Sequence, residues 1–187
     1  MTAKTKIKKT LLRLLETYPA DELTVKMVCL EAQVSKQSLY NNYYGILAAV
    51  EDVIEDLIYE AARDFRNTED WFAGILSVLR MFGERRSVIN HLYNSKYQKD
   101  MLNAITICIS PIIEGGIVDL ADTYGVDVSD TDKSIISGLY TDVFIGLITR
   151  YLNNRMSEDP VYLVYIYKTI LANSTAEAMA KIKQSAN

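Results

Sequence analysis

The sequence contains few residues that interrupt helices and few that build catalytic or metal centres. Its 187 residues include 3 prolines, 8 glycines, 2 cysteines and 1 histidine. Because prolines and glycines are so few, the chain has few obligatory breaks, which favours long helices over a many-stranded sandwich. A single histidine, His91, argues against a His-based triad, a metal site or a proton relay. We expect its ring at the surface or against a pocket.

Signatures of secretion and membrane insertion are also missing. No uninterrupted apolar run approaches the ~20 residues that cross a bilayer, and no apolar segment with a cleavage site follows the basic amino terminus. A cytoplasmic location without a membrane partner is therefore the default expectation. Cys29 and Cys108 lie far apart within apolar helical patterns, so we expect both to be reduced core residues.

Nothing in the sequence indicates an enzyme. No glycine-rich phosphate loop follows a predicted strand, and no spacing of acidic residues marks a pair for acid–base catalysis. We therefore expect neither catalysis nor a cofactor.

The charge of the chain is unevenly distributed. Residues 1–45 contain seven Lys or Arg and four acids, a net charge of +3, whereas residues 46–187 contain thirteen and twenty, a net charge of −7. A basic amino-terminal part on an acidic remainder suits a protein that touches a polyanion at one end. A solvated terminal arm from Lys4 to Lys9 would account for part of the same pattern.

Residues 24–47 form the most informative stretch and predict two short helices joined by a tight corner. The first helix is mostly apolar, and the second begins at a Ser35 cap. The solvent-facing side chains of the second helix are short or flexible and rich in hydrogen-bonding groups, as contact with phosphates and base edges in a major groove requires. These side chains are Lys36, Gln37, Ser38, Asn41 and Asn42.

Together with an earlier amphipathic helix, these two helices predict a helix-turn-helix DNA-binding domain at residues 1–47. Thr24 is expected to cap the second of its three helices. Leu39 and Tyr40 are expected to anchor the third helix, and Tyr43 is expected to pack behind it.

The remaining residues, 48–187, predict a helical ligand-binding and dimerisation domain. A connecting helix spans 46–66. Pro111 is expected to kink or end a later helix, and Asp130 or Thr131 to cap another. The whole chain is therefore predicted to be all-α, with about nine helices.

Two strongly apolar helices close the chain, at about 132–153 and 160–183. The apolar band of the first is too broad for a helix with one wet face. In antiparallel arrangement they would form half of a four-helix bundle, which a second copy of the chain would complete. Alternatively, they simply form the core of this chain.

A specific order of residues runs through the amino-terminal domain: Ile7 and the apolar helix that follows it, Leu23-Thr24-Val25, Ala32-Gln33-Val34-Ser35, Ser38-Leu39-Tyr40 and Tyr43. In order and spacing, this pattern resembles the tetracycline-repressor (TetR) family of bacterial transcription regulators. The resemblance covers about residues 5–60. It implies a homodimer that binds operator DNA through its amino-terminal domains and senses a small molecule in its body.

The resemblance also implies a role for individual residues. Thr24 and Lys26 would contact phosphates. Ser35, the cap of the recognition helix, would also contact the DNA, and the three residues after it would face base edges. Four further residues would lie against the backbone or the groove wall. The base-facing residues are Lys36, Gln37 and Ser38, and the others are Tyr40, Asn41, Asn42 and Tyr44.

Three positions depart from the family pattern. Gln33 stands where the corner usually has a glycine, whose freedom at positive φ suits a sharp turn. Tyr44 and Ile46 stand where the family usually has phosphate-binding lysines. Fewer phosphate contacts predict weaker, less salt-sensitive DNA binding, which the terminal lysines could offset.

The 13 tyrosines of the chain suggest a pocket for an apolar or aromatic ligand, although aromatic residues of this kind more often form core or dimer interface. The predicted lining is Trp71, Tyr93, Tyr97, Met101, Cys108, Tyr140 and Phe144.

We therefore expect a ligand-responsive DNA-binding regulator, and specifically a repressor of a palindromic operator. The missing lysines and the acidic total charge leave open a helical protein-interaction or effector-sensing module that reads DNA poorly. An activator that needs a coactivator is not separable from a repressor by sequence.

Overall fold

In a computed structural model, the described residues are 1–63, 71–125 and 127–185. The side chains of residues 71, 120, 124, 172–180 and 182–185 lie outside this description. The described ranges contain nine α-helices and no strand, so the predicted all-α class is confirmed. The helices are α1 (Ala3–Leu15), α2 (Val25–Ala32), α3 (Lys36–Tyr40), α4 (Ile46–Ala62), α5 (Trp71–Glu84), α6 (Arg86–Tyr93), α7 (Gln98–Tyr124), α8 (Asp130–Asn153) and α9 (Pro160–Ser185).

The chain divides into two compact units. The head unit comprises Met1–Glu60 and Glu84–Ile105, and the body unit comprises Ala61–Gly83 and Thr106–Asn187. The head unit therefore contains α1 to α3 and most of α4, together with α6 and the start of α7.

Local hydrogen bonds define the helix-turn-helix. The Thr24 hydroxyl accepts from the backbone N–H of Met27 at 3.2 Å, and Ser35 accepts from that of Ser38 at 3.0 Å. Both hydroxyls satisfy amide groups that have no partner within their helices. Gln33 ends α2 in the left-handed region, with φ 52° and ψ 48°, which turns the chain sharply into α3.

The core of the head unit forms along the apolar faces of these helices. Ile7, Leu11 and Leu15 of α1 are fully buried at helical spacing, as is Leu39 of α3. Tyr43 is also buried, as the sequence predicted. Tyr40 is 53% exposed, so the prediction that it anchors α3 is wrong.

The body unit has an apolar core of its own. The rings of Phe72 and Phe144 meet edge to face, with centroids 5.7 Å apart. Gly83 admits the side chain of the buried Tyr151, because a Cβ at position 83 would lie 2.9 Å from the Tyr151 hydroxyl. A larger residue at position 83 would therefore displace Tyr151.

Three predicted boundaries differ in the structure. Helix α7 continues through Pro111, since Ile109, Ile113 and Ile117 are buried at four-residue spacing on both sides of it, and this burial outweighs one lost backbone hydrogen bond. Ser129, not Asp130 or Thr131, caps α8. The predicted connecting helix ends at Ala62, and its residues 64–66 lie outside the described ranges.

By length and composition, segments 98–123 and 130–153 of α7 and α8 are long and apolar enough to cross a membrane. Polar residues are interspersed along both helices, so neither contains an uninterrupted apolar run of this length. Core helices of globular proteins meet the same criterion, so it does not assign either helix to a membrane.

Candidate nucleic-acid interface

Helix α3 presents a polar flank to solvent. Lys36, Gln37 and Asn41 are exposed, and Ser38 is half-buried. The opposite flank carries Leu39, which has no exposed surface. The buried leucine therefore holds the polar side chains outward, as the sequence predicted.

Two hydrogen bonds within this flank orient its amides. Gln37 Nε2 donates to Asn41 Oδ1 at 3.0 Å, and Asn42 Nδ2 donates to the Ser38 carbonyl at 2.8 Å. The first bond leaves the side-chain oxygen of Gln37, Oε1, able to accept from a partner and the side-chain nitrogen of Asn41, Nδ2, able to donate to one. Such acceptor and donor pairs match the N6 and N7 edge of adenine.

The remaining predicted contact residues surround α3. Thr24, Lys26 and Ser35 are exposed at or near the starts of helices. The hydroxyl oxygens of Thr24 and Ser35 accept the capping hydrogen bonds, so each hydroxyl still has its own hydrogen to donate to a partner. Tyr40 and Tyr44 are both exposed, Tyr44 completely. All ten predicted DNA-contacting residues thus lie in the head unit, and only Ser38 among them is half-buried.

One acidic residue of α4, Asp52, binds three side chains at once. The Tyr43 hydroxyl donates to Asp52 Oδ2 at 2.7 Å, and the Nζ atoms of Lys4 and Lys8 each lie 3.0 Å from a carboxylate oxygen. Lys8 also forms an ion pair with Asp56. These five residues, which we call the Asp52 cluster, join α1 and the end of the helix-turn-helix to α4.

The pKa values in the Asp52 cluster follow from these contacts. Burial acts to raise the pKa of Asp52, but the hydrogen bonds that it accepts from Tyr43 and the two lysines outweigh burial and lower it. Burial raises the pKa of Tyr43, and the bond to Asp52 raises it further. Burial acts to lower the pKa of Lys8, yet its bonds to Asp56 and Asp52 leave it raised.

The sequence did not reveal this use of the terminal lysines. They lie in the predicted amphipathic helix, which begins at Ala3 and overturns the alternative of a solvated arm. The unpredicted feature is that Lys4 and Lys8 neutralise acids of α4. A signal was present, because Lys4 and Lys8 are four residues apart, as are Asp52 and Asp56. Residues at that spacing share one face of a helix.

Helix α6 is attached to the helix-turn-helix within the head unit. His91 Nδ1 lies 2.7 Å from the carbonyl oxygen of Leu15, at the end of α1. Lys96, just after α6, pairs with Asp21 at 3.8 Å. His91 is half-buried, and its ring bonds to the Leu15 carbonyl through Nδ1.

The predicted pocket residues fall in both units. Tyr93, Tyr97 and Met101 are buried in the head unit, and burial raises the pKa of both tyrosines. Tyr140 and Phe144 are buried in the body unit, where Cys108 is half-buried. The side chain of Trp71 lies outside the described residues. Within the described ranges, no group of three or more His, Cys, Asp or Glu could hold a metal ion.

Comparison with known proteins adds a family and a fold. Residues 69–173, more than half of the chain, match a family model described as "Transcriptional regulator C-terminal region" (TetR_C_8). None of the curated protein sequences matches the chain.

Several solved structures share the fold along nearly their whole length. The dihydroxyacetone kinase operon activator DhaS has a TM-score of 0.67 at 17% identity, over 94% of this chain and 95% of its own. A TetR transcriptional regulator from Streptococcus agalactiae 2603V has a TM-score of 0.60 at 18% identity, over 90% and 92%. The TetR family repressor AlkX from Dietzia sp. strain DQ12-45-1b has a TM-score of 0.58 at 17% identity, over 93% and 95%.

Proposed function

The chain belongs to the TetR family of transcriptional regulators, and we propose that it is a ligand-responsive repressor that binds a palindromic operator as a homodimer. The polar flank of α3 carries this proposal. Lys36, Gln37 and Asn41 point to solvent from a short helix that Leu39 anchors in the core. A packing helix of this length would not need three exposed residues with such hydrogen-bonding capacity.

In the proposed complex, α3 lies in the major groove. Lys36, Gln37 and Ser38 face base edges at its start. Thr24 and Lys26 contact the phosphate backbone from α2. Four residues at and just after the carboxyl end of α3 lie against the DNA backbone or the wall of the groove: Tyr40, Asn41, Asn42 and Tyr44.

The proposed dimer forms through α8 and α9. Phe144 and Leu147 of α8 are buried, whereas Ile135 and Leu139, one turn apart on the same helix, are 65% and 62% exposed. On α9, further exposed apolar or aromatic side chains are Val161, Tyr162, Tyr165 and Ile170. Large exposed apolar surfaces are typical of interaction sites. A two-fold pair would place two α3 helices on successive half-sites of a palindrome.

The proposed effector is a small apolar or aromatic molecule that binds among the predicted pocket residues. It would weaken DNA binding by favouring an arrangement of the two heads that fits the operator poorly. It can shift this equilibrium only by the difference between its affinities for the two arrangements. A cytoplasmic location is part of the same proposal.

A second candidate function, an activator that depends on a partner protein, has two supporting observations. DhaS, with which the chain shares its fold, is named an operon activator. Tyr44 and Ile46 also remove two phosphate-binding lysines, which lowers the expected intrinsic affinity for DNA. This candidate predicts a stable complex with a partner protein and only weak binding of the chain alone to its operator.

Fluorescence anisotropy with DNA from the intergenic region upstream of the gene tests the proposal. We expect salt-sensitive binding that prefers this DNA over a scrambled duplex of equal length and composition. Equal affinity for the two duplexes would refute operator recognition. The sign of regulation follows from a reporter fused to that region, whose transcription should rise when the gene is deleted if the chain is a repressor.

A further inference from the structure

Helix α1 divides its lysines between two faces. Lys4 and Lys8 face α4 and are paired with the acids of the Asp52 cluster. Lys6 and Lys9 lie on another face, and neither forms an ion pair within the described residues. The internal pairing therefore uses two of these four charges and leaves two available.

The two available lysines border an open cleft with a volume of about 360 Å³. Lys6, Lys9 and Arg13 line it from α1. Glu31, Ala32 and Gln33 line it from the end of α2. We call this feature the α1 cleft.

The charge of the α1 cleft is positive. Arg13 Nη2 lies 2.5 Å from Glu31 Oε2, so these two charges offset each other. Lys6 and Lys9 remain as an excess of two positive charges. At the end of α2, the carbonyls of Cys29 and Leu30 accept from the N–H groups of Val34 and Gln33, which reduces the negative potential that a helix end would otherwise present. The cleft suits an anion.

The position of the α1 cleft indicates which anion it meets. Gln33, in its wall, is only two residues before Ser35, the cap of α3. Two residues of chain span at most about 7 Å. When α3 enters a major groove, the nearest anions to this region are the phosphates that border that groove.

We propose that the α1 cleft binds the phosphate backbone of the operator through Lys6 and Lys9, outside the recognition surface formed by Thr24, Lys26 and α3. The inference rests on the proposed function, because it requires α3 to enter DNA. It also accounts for Tyr44 and Ile46, since two lysines on α1 replace the two phosphate contacts that are absent at the start of α4.

Paired charge-removing variants test this inference. Lys6→Gln with Lys9→Gln removes the two cleft charges, and Lys4→Gln with Lys8→Gln removes the same charge from the other face of the same helix. Operator affinity is measured by anisotropy as a function of salt. We expect the Lys6/Lys9 variant to lower the slope of log K against log salt by about 2 for each bound protomer, since each phosphate contact contributes about 0.9.

The expected pattern separates phosphate contact from net charge. The Lys6/Lys9 variant should weaken binding to operator and scrambled DNA by the same factor and melt like the wild type. The Lys4/Lys8 variant should melt at a lower temperature and change the salt slope less. An equal change of slope in both variants, or no change in the Lys6/Lys9 variant, would overturn the inference.

Two further outcomes are distinguishable. If the wild-type chain binds no duplex in a salt-sensitive manner, the proposed function itself fails. If it binds operator DNA and the Lys6/Lys9 variant binds identically, only the α1 cleft assignment fails. Amide NMR shifts of residues 6, 9 and 33 on addition of inorganic pyrophosphate, without corresponding shifts on addition of duplex, would identify a small-anion site instead and overturn the inference.

Discussion

The Tyr43 hydroxyl donates a hydrogen bond to the Asp52 carboxylate, with 2.7 Å between Oη and Oδ2. This bond joins the residue that packs behind the recognition helix to the long helix that follows it. Lys4 also lies over the Tyr43 ring, with Nζ 5.5 Å from the centroid. The position of α3 therefore depends on a polar cluster as well as on the apolar core.

Asp52→Ala should destabilise the chain. The change leaves the buried Tyr43 hydroxyl without its acceptor, Lys4 without its carboxylate partner and Lys8 with Asp56 alone, so we expect a loss of about 1–3 kcal/mol in the free energy of unfolding. Urea denaturation followed by circular dichroism measures it. Glu55→Ala, an exposed acid on the same helix, is the control and should change stability by less than about 0.5 kcal/mol. Equal stability of the two variants would show that the cluster contributes nothing.

The contribution of Asp52 should depend on pH. Its pKa is lower in the folded chain than its ordinary value, so the stabilisation is present above about pH 4 and is lost as pH falls through the lowered value. The pKa values of Lys8 and Tyr43 are raised, so their stabilisation is present at neutral pH and is lost as pH rises above about 10. The difference in urea midpoint between the wild type and Asp52→Ala should therefore stay constant from neutral pH to about pH 4 and shrink as the pH falls below about 4. A difference that does not shrink below about pH 4 would contradict the assignment.

Gln33→Gly should stabilise the chain. Gln33 has φ 52°, a conformation that costs an L-residue roughly 1–2 kcal/mol relative to glycine. The greater flexibility of glycine in the unfolded chain offsets part of this gain, so we expect a net increase of about 0.5–1 kcal/mol. Thermal denaturation measures the effect. Gln33→Ala retains a Cβ and should give no increase; if both variants stabilise equally, backbone strain is not the cause.

The triple variant Lys36→Ala, Gln37→Ala, Ser38→Ala should lose operator recognition without unfolding. It removes the proposed base-facing groups but leaves Leu39 and the Ser35 cap in place. We expect operator affinity to fall at least 10-fold, to the level of scrambled DNA. Lys99→Ala, which removes an exposed lysine from α7 in the same unit, is the control and should retain sequence preference. An unchanged operator affinity in the triple variant would show that α3 is not the recognition helix.

Ile135→Glu with Leu139→Glu should convert the proposed dimer to a monomer. Both side chains are exposed, so the change should not disturb the body core, but it would bury two charges in a dimer interface. Sedimentation velocity measures the mass. Ile107→Glu alters an equally exposed isoleucine on α7 and should leave the dimer intact. A wild-type chain that sediments as a monomer would refute the dimer.

The sequence predicted the features of the head that depend on nearby residues. The caps at Thr24 and Ser35 bind amides only three residues away, so their residue types and positions were sufficient. The burial of Leu39 and Tyr43 was also predicted from the local pattern of apolar and polar residues. The exposure of Tyr40 was missed, because α3 has only five residues and the pattern of so short a helix does not define which flank an aromatic residue occupies.

Features that depend on distant residues were not predictable from local patterns. Lys4 and Asp52 are 48 positions apart, so their pairing required the arrangement of α1 and α4. The continuity of α7 through Pro111 required the burial of isoleucines on both sides. The proposed effector pocket remains a prediction, since its residues are divided between the two units.

The contact between His91 and the Leu15 carbonyl determines which ring nitrogen carries the hydrogen. The Nδ1 atom faces the Leu15 carbonyl at 2.7 Å, and a carbonyl oxygen only accepts hydrogen bonds. Nδ1 must therefore carry the hydrogen in this contact, which fixes the tautomer of the ring. The imidazole thus acts as a donor that ties the sixth helix to the last residue of the first, and Nε2 is left as its acceptor atom.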